Sequence, residues 1–203
     1  MSGSQTKVRI LAAALELFNA EGYAALSAVD VASALSISPG HLYYHFKGKA
    51  ELAAALLEAH LDELEAITNN ALRELEADGA GLEALWTQVH ILVEEVHDTR
   101  FAWREGRVLW ASDARLAGLM RRGGALLEDF ARAALVRLRA TGAIVVRDEV
   151  LDGLVAQMAL GIALQTTWQE LATGGDIPDR ALVARAAALI MLPLTGLHVS
   201  GTA

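Results

Sequence analysis

Two helix starts standing eleven residues apart, at Ser27 and Ser38, constrain this chain more than any other feature in it. Ser27 precedes Asp30 by three, the spacing of a capping box in which hydroxyl and carboxylate each accept an N–H of the first turn. Ser38 is followed by Pro39, whose missing N–H is harmless at a first helical position, and by Gly40, which removes bulk there. Val29, Val31, Ala32 and Leu35 form an apolar stripe after the first start, and Ile37 sits in a tight turn before the second. Helix, tight turn, helix is the helix-turn-helix arrangement. In its second helix Leu42 and Phe46 lie four apart and share an anchoring face. The other face carries His41, Tyr43, Tyr44 and His45, flat side chains with polar tips, and Lys47 and Lys49 follow at once. Such a face suits a phosphate backbone and base edges. The alternative is a surface hairpin with a chance aromatic cluster.

The surroundings carry a resemblance. Ile10, Ala14 and Phe18 lead to Gly22 and Tyr23; Ser27, Val31, Ala32, Leu35 and Ile37 lead to Ser38-Pro39-Gly40, Leu42-Tyr43-Tyr44-His45-Phe46, Lys49 and Leu52. From Thr6 to Leu52 the chain resembles the DNA-binding domain of TetR-type bacterial transcriptional regulators. The resemblance implies an all-α protein, with an N-terminal three-helix helix-turn-helix domain and a larger antiparallel helical domain for ligand binding and dimerisation. It implies DNA contacts at Ser27, Ser38, Pro39, Gly40, His41, Tyr43, Tyr44, His45 and Lys49. His41 would donate to a guanine edge, the tyrosines to phosphate oxygens or against a thymine methyl, and Lys49 would clamp a phosphate. Two departures stand out: family members usually carry Thr or Ala where His41 stands, and Ala28 and Val29 open their helix with neither a basic nor a hydroxyl side chain.

The net charge of −8 argues against nucleic acid until its distribution is read. Residues 1–50 hold four basic side chains (Lys7, Arg9, Lys47, Lys49) against three acidic ones (Glu16, Glu21, Asp30), and all three lysines of the chain are there. An acidic remainder repels DNA and leaves one mildly basic end to approach it. So weak a footprint predicts a modest salt dependence per subunit and a need for dimers. The chain has no cysteine, which excludes disulfides and thiolate metal sites and agrees with a reducing, cytoplasmic setting. No apolar run approaches the ~20 uncharged residues that span a bilayer, and no signal-peptide core is seen, so no membrane partner is expected. Met1 to Ser4 and the tail to Ala203 are expected to be loose ends.

Helical periodicity predicts about nine helices. The first runs from Gln5 to Glu21, with Val8, Leu11, Leu15 and Phe18 on its stripe and Gly22 as a left-handed cap. The fourth runs from Lys49 to Ala77 and the fifth from Leu82 to Thr99; one short helix holds Phe101 to Trp110. The seventh, Asp113 to Thr141, is interrupted by Gly123-Gly124. The eighth, Glu149 to Ala172, and the ninth, Asp179 to Leu194, ended by Pro193, are apolar almost all round and must be covered on every side. Gly153, Ala156, Gly161, Trp168, Ala184 and Ala188 are therefore assigned to a two-fold, four-helix interface. The alternative is that both helices fill the subunit's own core. A boundary near residue 50, without a flexible linker, gives a DNA-binding domain of residues 1–50 and an effector-binding and dimerisation domain of residues 51–203.

His90, Glu94 and His97 share one helical face, close enough to share a metal or a proton. A di-iron bundle needs two Glu-x-x-His elements and this chain has one, so no metal and no cofactor is expected. All four tryptophans lie beyond the hairpin. Aromatic and methionine side chains with a few amides and imidazoles suit a small, largely apolar ligand. The candidate pocket residues are Trp86, His90, Glu94, Trp103, Trp110, Gln157, Met158 and Gln165, with plain core packing as the alternative. No Ser, His and acid pattern suggests an enzyme. The chain reads as a ligand-responsive repressor, homodimeric on a near-palindromic double-stranded operator and released by a small-molecule effector. A DNA-binding protein without an effector and a helical metal-dependent enzyme are the alternatives.

Overall fold

In a computed structural model that describes residues 3–77, 79–174 and 178–197, every regular element is a helix. They are α1 (Gly3–Glu21), α2 (Ala28–Ala34), α3 (Pro39–His45), α4 (Lys49–Glu74), α5 (Leu82–Asp98), α6 (Arg100–Arg104), α7 (Gly106–Ser112), α8 (Ala114–Ala140), α9 (Asp148–Thr173) and α10 (Asp179–Thr195). The chain divides into two compact units, Met1–Asp62 with Thr99–Arg122, and Glu63–Asp98 with Gly123–Ala203.

The first unit has one core. Ile10, Ala14 and Phe18 of α1, Val31 and Ala32 of α2, Leu42 of α3 and Leu52 of α4 are sealed from solvent, and Phe101, Leu109 and Leu116 join them from α6, α7 and α8. Phe18 is the hub, meeting Tyr23 edge-on at 5.4 Å and Phe101 at 5.3 Å. Val8 corrects the expected stripe, being 65% exposed. It lies two residues from Ile10, about 200° round the helix, and so faces away from the core. The first helix starts at Gly3 rather than Gln5. Of the expected loose ends, Met1-Ser2 and residues 198–203 lie outside the described residues, as does Asp78.

The short helix expected around Phe101 is two, so ten helices replace about nine among the described residues. Glu105 breaks the run with φ −110° and ψ 24°, closing α6 and opening α7. α8 passes through Gly123-Gly124 unbroken, and α10 runs beyond Pro193 to Thr195. Pro193 lacks the N–H that would reach the carbonyl of Leu189, and this close to the helix end only that one bond is forfeited.

In the second unit α5, α9 and α10 pack on one another. Leu85, Val89, Leu92 and Val96 of α5, Leu154, Met158 and Ile162 of α9, and Ala186, Ala187 and Ile190 of α10 are buried. A Cβ at Gly161 would lie 2.7 Å from Ile190 Cγ1, so this glycine lets α9 approach α10 within the unit. α9 is long and apolar enough to cross a bilayer, contrary to the expectation that no segment is. It is nevertheless a core helix on one side, with Leu154, Val155, Met158 and Ile162 all buried.

Candidate nucleic-acid interface

The helix-turn-helix is capped as its sequence demands. The Ser27 hydroxyl accepts from Asp30 N at 3.3 Å and donates to Asp30 Oδ2 at 2.7 Å, while Ser27 N donates to the same carboxylate at 2.7 Å. The Ser27 side chain and then its backbone N–H hold the Asp30 carboxyl below its ordinary range. Ser38 Oγ accepts from His41 N at 3.1 Å, and Pro39 occupies the first turn of α3. Between the helices Ser36 takes φ 54°, the left-handed conformation that usually calls for glycine. Ile37 N reaches back to Ala32 O and Ser36 N to Ser33 O, both at 3.0 Å, which closes the turn.

α3 then divides into two faces. Leu42 and Phe46 are buried, while Ser38, Pro39, Gly40, His41, Tyr43 and Tyr44 are exposed. Tyr44, at 84% exposure, is the most prominent ring. His45 is half-buried and lies 5.4 Å from the His41 ring and 5.0 Å from the Tyr44 ring. Three rings of the expected face, His41, His45 and Tyr44, are thus linked through His45. Lys49 is placed differently from the other named residues. Its Nζ donates to Tyr23 O at 2.8 Å and lies 4.3 Å from the centre of the Tyr23 ring, so this ammonium braces the α1–α2 turn. Sequence reasoning missed two neighbours: Ser4 and Lys7 of α1 line a hollow with Tyr44 and His45. Hydroxyl, ammonium, phenol and imidazole around one hollow suit a phosphate. The available signal was that Lys7 is one of only three lysines.

A second missed feature holds the helix-turn-helix from behind. The Glu105 carboxylate accepts from Tyr23 N at 2.7 Å and Ala24 N at 2.8 Å. Arg104 donates to Phe18 O at 3.2 Å and Asn19 O at 3.0 Å, and Phe101 N donates to Asn19 Oδ1 at 3.0 Å. The carboxylate takes the N–H groups just past α1, and the guanidinium adds to its last carbonyls, of which Phe18 O also accepts from Gly22 N at 3.1 Å. Gly22 makes this possible: φ is 93°, and a Cβ there would stand 2.7 Å from Glu105 Oε1.

The proposed pocket residues fall in two places. Trp86, His90 and Glu94 line one cleft between α5 and α10 with His97, Asp98, Asp179, Arg180, Val183 and Ala184, and its volume is about 780 Å³. Trp103 and Trp110 belong to the first unit. Trp103 Nε1 donates to His60 Nε2 at 3.1 Å, and Trp110 is half-exposed with Arg121 5.0 Å from its ring centre. Met158 is buried on α9, Gln157 and Gln165 are half-buried there, and none of the three lines the cleft. Of the interface candidates, Gly153, Ala156, Trp168 and Ala188 face outward, Ala184 lines the cleft and Gly161 is buried against Ile190.

Fold and site together define a helix-turn-helix protein with a helical carrier. Residues 10–56 match the family model of bacterial regulatory proteins, tetR family, and residues 56–195 match a TetR model described as bacterial transcriptional repressor. The chain belongs to the TetR family. YerO, an uncharacterized HTH-type transcriptional regulator of Bacillus subtilis (strain 168), is 31% identical over 98 residues, covering 47% of this chain and 32% of its own. AcrR of Shigella flexneri, an HTH-type transcriptional regulator, is 36% identical over 64 residues, or 30% of either chain. The matched stretch thus spans about a third of these curated relatives. Among solved structures, a TetR-family regulator from Marinobacter aquaeolei VT8 aligns with a TM-score of 0.76 at 21% identity, over 98% of this chain and 92% of that one. PfmR, a TetR-family regulator from Thermus thermophilus, aligns with a TM-score of 0.72 at 25% identity, over 94% and 100%.

Proposed function

We propose that this protein is a cytoplasmic, ligand-responsive repressor that binds a near-palindromic double-stranded operator as a homodimer and leaves it when a small effector binds. The observation that carries the reading is the outward row of α3, where His41, Tyr43 and Tyr44 stand in solvent over a buried Leu42 and Phe46. Two such rows would enter successive major grooves about 34–36 Å apart. Residues 1–50 do the reading, braced by the 99–122 segment that shares their core. Residues 51–203 supply the dimer and effector surfaces.

Support for the dimer comes from α9 and α10. Leu160, Leu164, Trp168 and Leu171 form one exposed row at helical spacing, and Leu189 and Leu192 form another. Covering these six side chains in a four-helix contact is worth on the order of 10 kcal/mol before the costs of association. Support for an effector comes from the cleft lined by Trp86, His90 and Glu94. A ligand there acts by favouring a conformer whose readers miss the groove spacing, and a coupling of roughly 1–3 kcal/mol suffices.

The test uses duplex DNA selected by the protein from a random pool. Tyr44→Ala is expected to weaken binding in a mobility-shift titration by about tenfold, the loss of one or two good contacts, with thermal unfolding unchanged because the ring is 84% exposed. Unchanged affinity would refute the assignment of α3.

A further inference from the structure

The cleft between α5 and α10 has a chemistry that its sequence reading did not anticipate. Its volume, about 780 Å³, is in the range of small-molecule sites. One wall is a flat pair, Trp86 stacked on His90 at 5.3 Å and 26°, with the indole 41% exposed. Val183 and Ala184 add apolar surface. Among the described lining residues the charged groups are unequal: Glu94, Asp98 and Asp179 against one fixed cation, Arg180. His90 Nε2 is 3.7 Å from Glu94 Oε1, and the buried His97 has its Nε2 3.5 Å from Asp179 Oδ2.

We propose that this cleft seats an organic cation with an apolar body, and that cations of this class are the effectors; the second clause rests on the effector-release reading above. An excess of carboxylates around a cleft concentrates cations and repels carboxylate or phosphate ligands. An exposed indole face attracts cations through its quadrupole and accepts an apolar body equally well. Among the described residues no three His, Cys, Asp or Glu side chains group closely enough to hold a metal ion. Negative charge beside an aromatic wall matches a cation that carries an organic body. The expected largely apolar ligand thereby acquires a sign.

The test titrates the full chain with tetraphenylphosphonium and tetraphenylborate, ions of one shape and opposite charge, read by calorimetry and tryptophan quenching. The phosphonium is expected to bind at least about tenfold more tightly than the borate. Glu94→Gln with Asp179→Asn should remove most of that preference; both side chains are more than half exposed, so the variant folds. Equal or tighter borate binding, no binding of either ion, or a preference that survives the double substitution overturns the cation seat. Operator affinity is measured with each ion in parallel. Preferential phosphonium binding with operator affinity unchanged overturns effector release and upholds the seat. Operator release by the borate, without a phosphonium preference, upholds effector release and overturns the seat.

Discussion

At α3 the buried Leu42, with Phe46 just past the helix end, holds up a row of rings that end in hydroxyls and imidazole nitrogens; in α9 and α10 the buried Met158, Ile162 and Ile190 back rows of Leu160, Trp168, Leu171 and Leu192 that end in carbon. Both are exposed faces of helices whose other side is core. They differ in what water does to them. Phenols and imidazoles are hydrated when nothing covers them, so a reader can stand alone and let go of its partner. Leucine and tryptophan rows lose by standing in water and gain by staying covered. On the proposed reading, the apolar face makes a lasting dimer and the polar face a reversible contact, and regulation acts on the second while the first persists.

The largest expected effect breaks this division of labour. Leu164→Glu with Trp168→Glu places carboxylates in the apolar row without touching the reader. The variant is expected to sediment as a monomer at micromolar concentration. It should bind operator about a hundredfold more weakly, because a linked second site is worth that much or more. A dimer surviving both substitutions would move the interface elsewhere. Next in size is Gly22→Ala, which attacks the reader from behind. The left-handed φ and the 2.7 Å approach of Glu105 Oε1 should together cost about 2 kcal/mol or more in chemical denaturation. Glu105→Ala alone forfeits the bonds to Tyr23 N and Ala24 N, so the glycine substitution repeated in that background shows the cost of the φ without the clash, and a smaller loss there than in the parent separates the two causes.

The reader was legible because its signals are local. Ser27, Asp30, Ser38 and Pro39 act within four residues of themselves, and a hydroxyl at the right offset from an N–H needs no tertiary information. Gly22 was legible as a cap for the same reason, but not as a space reserved for Glu105, which lies 83 positions along the chain. Lys49 shows the same limit. Its place at a helix start suggested a phosphate, and only the fold shows the Tyr23 carbonyl and ring within its reach. Trp86, Trp103 and Trp110 were read as one set because they share a chemistry, yet Trp86 lines a cleft of one unit while Trp103 is tied to His60 in the other. Periodicity assigns a side chain to a face of its own helix and says nothing of which neighbour meets that face. That is also why Gly161 and Gly153, alike in sequence, part company, one against Ile190 and the other outward.

The smallest expected effect compares how the two units end their helices. α8 and α9 close on Gly142 and Gly174, at φ 76° and 68°, and α1 closes on Gly22; among the described residues α2 alone closes on a residue with a Cβ in the left-handed region, Ser36 at φ 54°. A non-glycine residue held there stores strain of about 1 kcal/mol, partly offset by the smaller entropy it loses on folding. Ser36→Gly is therefore expected to raise the unfolding free energy by a few tenths of a kcal/mol, up to about 1 kcal/mol. Operator affinity sharpens the comparison. If the serine is an indifferent stand-in for glycine, the variant binds as tightly as the parent. If the stiffer turn fixes the angle at which α3 meets DNA, the variant gains stability and loses affinity, an inversion that no helix end in the second unit should reproduce.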